Sequence, residues 1–453
     1  MKLKKRHELD LLNGTIWDKL LLFALPLAAT SILQQLFNAA DIAVVGRFVG
    51  ESAMAAVGSN SSTINLLVNL FVGMSLGTNV IISQMVGRQD SDGIRRAVST
   101  SVIAAVAGGL LVAVGVQPLV GGILTALSVP DDVYGMAMLY LRIYMAGLPA
   151  ILLYNFETAI FRSQGDTKTP LLVLTVSGVI NVVLNAFFVL VVGLTVDGVA
   201  LATVASNLIS AETLFIILSR RQSAVRIDIH RLCFDGAIFR RIMAVGIPAG
   251  VQGMVFSIAN ICVQSCVNSL GSVVMAASSA AYNLEAFSYQ TLAAFGQACT
   301  TFVGQNYGAG KLTRCHRIAW VALLTGAVFF AAIAGLLLLG MGRLLAIFNR
   351  NPEVIYFGTI RLRYMLLGHV FSLFVEVLSG YLRGFGLSAL PAGCALVFIC
   401  GIRIFWVYTV FPNYRTFANL MTVYPISLSA TACILAVVCL LVRKTIHAPT
   451  QAG

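Results

Sequence analysis

The chain has 453 residues, 58% of them hydrophobic and only 11% charged, with a mean hydropathy of +0.89. A water-soluble protein of this length cannot hide so much apolar surface, so composition excludes a soluble enzyme or binding module and points to a polytopic membrane protein. The net charge of +12 would suit nucleic acid. However, the basic residues lie mostly at the ends of apolar runs, where they set orientation and meet lipid headgroups, so a bilayer and not nucleic acid is the expected partner.

The amino terminus, MKLKKRHELDLLNGTIWDK, has the outline of a signal peptide. Glu8, Asp10 and Asp18 interrupt its basic region, no small-residue cleavage site follows, and the apolar run is too long. Residues 1–14 are therefore expected to form a cytoplasmic arm. Hydropathy then marks twelve apolar segments, at about 16–45, 57–83, 95–118, 134–160, 169–193 and 197–219, and at about 239–268, 277–303, 316–341, 354–380, 391–412 and 418–442. They are too long for barrel strands and do not alternate, so only helices fit.

Loop charges orient these spans. With the amino terminus inside, 22 of the 30 basic residues fall on the cytoplasmic side, among them Arg88, Arg95, Arg96, Arg162, Lys168, Lys311, Arg314, Arg443 and Lys444. Twelve spans with both termini cytoplasmic follow from that bias, in an inner (plasma) membrane. The basic loop around Arg343 and Arg350 runs against it. The longest polar connection, SRRQSAVRIDIHRLCFDGAIFRR, lies at mid-chain and reads as a linker whose end is an amphipathic surface helix. The expected division is an arm at 1–14, a six-helix lobe at 15–219, a linker at 220–238, a second six-helix lobe at 239–442 and a tail at 443–453.

An offset of 221 residues brings the two halves into register. Met54-Ala55-Ala56 matches Met275-Ala276-Ala277, Gln84 and Gly87 match Gln305 and Gly308, and Arg142 matches Arg363. Arg162, Gly165 and Pro170 match Arg383, Gly386 and Pro391, while Pro26 matches Pro248 with one residue of slippage. Each half holds six spans and enters the membrane in the same sense. Such halves are related by a pseudo-twofold axis along the membrane normal, a layout suited to alternating access around a central cleft.

Few acids fall within the spans: Asp41, Glu157, Glu212, Glu285 and Glu376. A carboxylate at mid-bilayer costs roughly 2.5–3.5 kcal/mol on insertion scales, so it usually faces a cavity and has a task. It can take up a proton, or hold a hard cation such as Na⁺ together with amides and hydroxyls. Asp41, in LFNAADIAVVGRFVG, follows Pro26 by about four turns, with Asn38 one turn before it and Gln34 two turns before it. The competing reading makes Asp41 a solvated partner of Arg47. Asn181 and Asn185 share one face of the fifth span, and Thr203 and Asn207 one face of the sixth. They either bind an ion or join helices. Glu157 and Glu376 are expected to snorkel toward, or pair with, Arg162 and Arg383. Glu285 reads as near a helix start, and Asn260 and Gln264 could line a cavity in the second lobe.

GAGKLT lacks the first glycine of a phosphate loop and the Ser/Thr directly after its lysine, so ATP drive is excluded. The nine cysteines lie mostly in apolar runs without metal-ligand spacing, and no catalytic set emerges. No cofactor is expected and the chain is not read as an enzyme. The only metal ion considered is Na⁺ at Asp41.

In order and spacing, LFALPLAATSILQQLFNAADIAVVGRFVG, SQMVGRQD with its partner GQNYGAGK, FRSQGDTKTP with its partner LRGFGLSALP, INVVLNAFFV and GVALATVASN resemble the MATE (multidrug and toxic compound extrusion) family. The resemblance spans about residues 13–442. It implies a twelve-helix, two-lobe antiporter exporting organic, often cationic, drug-like compounds in exchange for H⁺ or Na⁺, with a monomer expected. It also implies ion coupling at Asp41, with Asn181 and Thr203 as its polar partners. Asn185 departs from the family pattern, where many relatives carry Asp. The seventh-span glutamate of some branches is missing, with Phe256 near its place. The counterpart of Asp41 at the repeat offset falls near Cys262 or Val263, so the lobes are chemically unequal. The alternatives are a lipid-linked oligosaccharide flippase of related fold, which the mid-span Arg403 keeps open, and a membrane-embedded enzyme or scaffold.

Overall fold

The computed structural model of the protein describes residues 9–127 and 129–446, apart from the side chains of Glu51 and Ser62. Residues 1–8 of the expected arm and 447–453 of the expected tail lie outside the described residues.

Every regular element among the described residues is helical. We number the long helices as spans. The first six are α1 Trp17–Phe48, α2 Glu51–Arg88, α3 Ser91–Ala126, α4 Asp131–Ala146 with Leu148–Ser163, α5 Lys168–Val191 and α6 Val196–Ser219. The second six are α7 Gly236–Asn268, α8 Ser272–Gly308, α9 Leu312–Phe348, α10 Pro352–Gly384, α11 Ala389–Val410 and α12 Phe417–Thr445. Ten of these are long and apolar enough to cross a membrane, and the bent pair forming α4 makes an eleventh. The remaining helix, α8, is 37 residues long but more polar, since it carries Ser278, Glu285, Ser288, Thr300 and Gln305. This is a twelve-helix layout with six spans in each half of the chain.

The helices overrun the apolar segments by several residues at many ends. Hydropathy sees only the part that lies in hydrocarbon, whereas backbone hydrogen bonding continues into polar termini until a cap stops it. Asp90 caps α3 by accepting from the Gly93 amide at 2.8 Å. Asp235 caps α7 by accepting from the Ala237 and Ile238 amides at 3.0 and 3.1 Å. The mid-chain linker therefore runs into the start of α7, and the helical element before it is a single 3-10 turn, Ile229–Arg231. Asp235 also takes Arg96 at 3.1 Å, and its amide donates to Thr100 Oγ1 at 3.0 Å, which ties the linker to α3. The 47° bend in α4 falls at Gly147, where the following Pro149 supplies no backbone N–H.

The chain divides into two compact units. One contains Leu9 and Ala29–Gly246; the other contains Asp10–Ala28 and the chain from Ile247 onward. Both changes of unit fall inside a helix, α1 and α7, within one turn of Pro26 and Pro248. In the first unit, Leu141, Met145, Leu148, Phe156 and Phe161 form a fully buried core. In the second, Phe23 meets Phe302 edge to face at 5.6 Å, and Gly380 lies so close to the Gly296 carbonyl that no Cβ fits between α8 and α10. Large apolar side chains point outward instead, such as Leu339 at 90% exposure and Ile347 at 77%, as lipid contact requires.

The repeat is written in the backbone as well. Gly50 and Gly271 precede α2 and α8 at φ 124° and 102°, and Gly165 and Gly386 follow α4 and α10 at φ 82° and 89°. Gln89, at φ 59°, stands where the second half has Gly310 at φ 73°. These positive φ values favour glycine, so the repeated turns are repeated conformations as well as repeated letters.

Candidate functional site

Three helices of the first unit build a buried polar cluster. Residues 29–48 of α1 lie in this unit, and Phe37 and Asp41, one turn apart, face α5. Gly178 makes the approach possible, because a Cβ there would overlap the Phe37 ring. One and two turns beyond Gly178, Asn181 and Asn185 then come level with the carboxylate. Asn185 Nδ2 donates to Asp41 Oδ1 at 2.5 Å and to Asn181 Oδ1 at 3.3 Å. From α6, Thr203 Oγ1 lies 3.2 Å from Asp41 Oδ2 and 2.9 Å from the carbonyl of Val199. Asp41 is 7% exposed, and its hydrogen-bonding partners are the amide and the hydroxyl, not Arg47.

Two features of this cluster bear on its chemistry. The first is the Thr203 hydroxyl, which has one proton and two oxygens within reach. With Asp41 ionised, the hydroxyl donates to the carboxylate. With Asp41 protonated, it turns to Val199 and accepts from the acid, so both states stay hydrogen-bonded. The second is Asn185 Oδ1, which is buried without a donor. Nδ2 of the same amide is the atom turned to Asp41 and Asn181, so Oδ1 faces away; the oxygens gathered at the site are the two of Asp41, Asn181 Oδ1 and Thr203 Oγ1, the donor type a hard cation takes. Tyr140 and Tyr144 on α4, the former buried, stack at 6.3 Å. They had a signal in the sequence: they are four apart in LYLRIY and share a helix face. Gly178 carried none, because a lone glycine in an apolar helix does not reveal what lies against it.

The other expected residues fall in different settings. Gln34 and Asn38 are exposed on α1. Asn207 donates back to the Thr203 carbonyl at 2.8 Å. In the second unit Asn260 and Gln264 are exposed on α7, and Gln264 donates to Asn268 at 2.9 Å. Glu285 lies well inside α8 and not at its start, because the helix begins at Ser272. Arg361 grips it with two bonds, of 2.6 and 3.1 Å, and also donates to Ser278 at 2.6 Å. That pairing carries no local signal, since 76 positions separate the partners. Arg403 is buried, donates to Asn260 at 2.6 Å and Ser427 at 3.2 Å, and lies over the Tyr424 ring. Glu376 accepts from Tyr289 at 3.0 Å, whereas Arg383 donates to Gln252 at 2.8 Å. The buried Asp41 of the first unit thus has an amide and a hydroxyl as partners, whereas the buried Glu285 of the second is paired with an arginine and Arg403 is buried as well.

Comparison with known proteins adds an independent view. The family model MatE matches twice, over residues 26–187 and 248–409. "Probable multidrug resistance protein YoeA" of Bacillus subtilis is 26% identical over 399 residues, covering 86% of each chain. "Probable multidrug resistance protein YpnP" of the same organism is 27% identical over 402 residues, covering 88% of each. A solved outward-facing structure of a multidrug resistance MATE family transporter superposes with a TM-score of 0.89 at 20% identity, covering 96% of this chain and 97% of that one.

Proposed function

The chain belongs to the MatE family of multidrug transporters, and from that premise we propose a secondary antiporter that exports organic, drug-like, chiefly cationic compounds in exchange for H⁺ or Na⁺. Asp41 is its coupling residue; Asn185 and Thr203 hold that carboxylate, and Asn181 accepts from Asn185 beside it. The family and its relatives are membrane transporters and not enzymes. The single observation that carries the coupling reading is the buried Asp41 carboxylate held by Asn185 at 2.5 Å and Thr203 at 3.2 Å. A structural polar contact would need only one charge state to be satisfied. This cluster satisfies two, through rotation of the Thr203 hydroxyl, and its carboxylate, amide and hydroxyl oxygens are the donor type a hard cation takes.

Coupling requires that ion and substrate stabilise different states of the transporter. In the proposed cycle the ion binds Asp41 in an outward-open state, substrate leaves, and the ion is carried inward on return. Gln34, Asn38 and Asn207 in the first lobe, and Asn260, Gln264 and Glu285 in the second, are the polar candidates for the substrate route. Of these, Gln34, Asn38, Asn260 and Gln264 are exposed enough to meet a solute directly. The basic bias of the loops supports an inner-membrane protein with both termini cytoplasmic, and a monomer suffices for this cycle. An anionic, lipid-linked cargo would need an open cationic group. Arg403 is 2% exposed and its guanidinium already serves Asn260 and Ser427, which favours the antiporter over the flippase.

Cells expressing the protein should gain resistance to lipophilic organic cations, and Asp41→Asn should remove that resistance at an unchanged level of membrane insertion. Full resistance in the Asp41→Asn strain would sink the assignment.

A further inference from the structure

Glu157 takes no part in the mechanism above, yet it is the most isolated acid of the first unit. It lies on the second segment of α4, six residues before the end at Ser163, and is fully buried. Neither of its carboxyl oxygens has a hydrogen-bond donor. The expected partner, Arg162, donates instead to the Thr158 carbonyl at 3.3 Å. Arg88 on α2, Arg95 and Arg96 on α3 and Lys168 on α5 provide no bond to it either. The helix packed against this segment, α6, carries an acid of like sign, Glu212. A buried carboxylate with no donor and no counter-ion is not sustained as an anion; such groups carry a proton.

The position is far from Asp41. Asn185, which holds Asp41, is seventeen residues along α5 from Lys168. Glu157 is only six residues from the other side of that same short connection. At 1.5 Å rise per residue the two sites differ in depth by roughly 15 Å. Glu212, unlike Glu157, is exposed.

We propose that Glu157 is a second proton-binding site of the amino-terminal lobe, at the end of the lobe opposite Asp41. The proton comes from water and returns to it, so no other reactant is needed. Its place in an export cycle rests on the antiporter reading, but the proton site itself does not, and the two are separable by experiment.

Purified full-length protein treated with dicyclohexylcarbodiimide, which adds to protonated carboxyls in apolar surroundings, should carry the adduct at Glu157. The adduct should fade in alkaline buffer, and it should persist in Asp41→Asn. Between alkaline and acidic buffer, Glu157→Gln should take up one proton fewer per protein than wild type. An unmodified Glu157 in wild type, an adduct insensitive to pH, or an unchanged proton count in a folded Glu157→Gln variant would each overturn the proposal. Where Glu157→Gln does not fold, the pH dependence of the wild-type adduct decides. A positive result at Glu157 together with full export by Asp41→Asn would keep this site and remove the Asp41 reading.

Discussion

At the scale of single residues, the account rests on one hydroxyl that serves two charge states. Thr203 Oγ1 sits between Asp41 Oδ2 and the Val199 carbonyl, so Thr203→Val leaves the ionised carboxylate one donor short. A hydrogen bond to a charged group contributes about 1.5–3 kcal/mol, so ion-driven efflux in Thr203→Val should fall about tenfold or more. Thr203→Ser, which keeps the hydroxyl, should stay near wild type. Equal rates in Thr203→Val and Thr203→Ser would show that the hydroxyl does not serve the ion. Much of this cluster was legible in the sequence, because Asp41 and the i, i+4 pair Asn181/Asn185 are polar interruptions in apolar helices. What was not legible is pairing over distance. Nothing in the chain says that Arg361 belongs to Glu285, or that Arg162 leaves Glu157 alone, because those contacts are set by how separate helices pack.

At the scale of helices, glycine contacts decide where polar groups meet. The Phe37 ring occupies the space a side chain at Gly178 would fill. Gly178→Val should therefore push α1 off α5, costing about 1–3 kcal/mol as overpacking does and lengthening the Asp41–Asn185 contact. Both thermal stability and transport should drop, and Phe37→Ala in the same chain should restore part of the stability. A Gly178→Val variant as stable and active as wild type would show that the close approach is dispensable. In the second unit the Glu285–Arg361 pair is buried. Glu285→Gln strands the arginine and should cost about 3–5 kcal/mol, whereas replacing both residues with Met should be close to neutral. If the single and double variants melt alike, the pair is not what holds α8 to α10. The existence of these helices was readable from hydropathy. Their ends were less so, since capping residues such as Asp90 and Asp235 continue a helix past its apolar stretch.

At the scale of the whole molecule, two halves share backbone turns but not chemistry. The paired glycines, Gly50 with Gly271 and Gly165 with Gly386, preserve the same turns, and the MatE family model fits each half once. The counterpart of Asp41 is an apolar position near Cys262, and the second half buries Arg361 and Arg403 instead. Duplication thus supplies two lobes of like construction, and divergence leaves Asp41 in one of them, where the proposed coupling is placed. The repeat was readable from Gly, Pro and Arg matches at a single offset, because those residues mark turns and helix ends that a fold cannot easily move. The exchange of helix halves between units was not readable, since Pro26 and Pro248 mark a bend without saying where the chain goes next.

The central claim, that Asp41 links an ion gradient to export, is tested most directly by substrate efflux from proteoliposomes with proton and sodium gradients imposed one at a time. The account predicts that one of the two gradients drives efflux by the wild-type protein, and that Asp41→Asn, inserted to the same level, shows none above the gradient-free rate. Gradient-driven efflux by Asp41→Asn at the wild-type rate would contradict it.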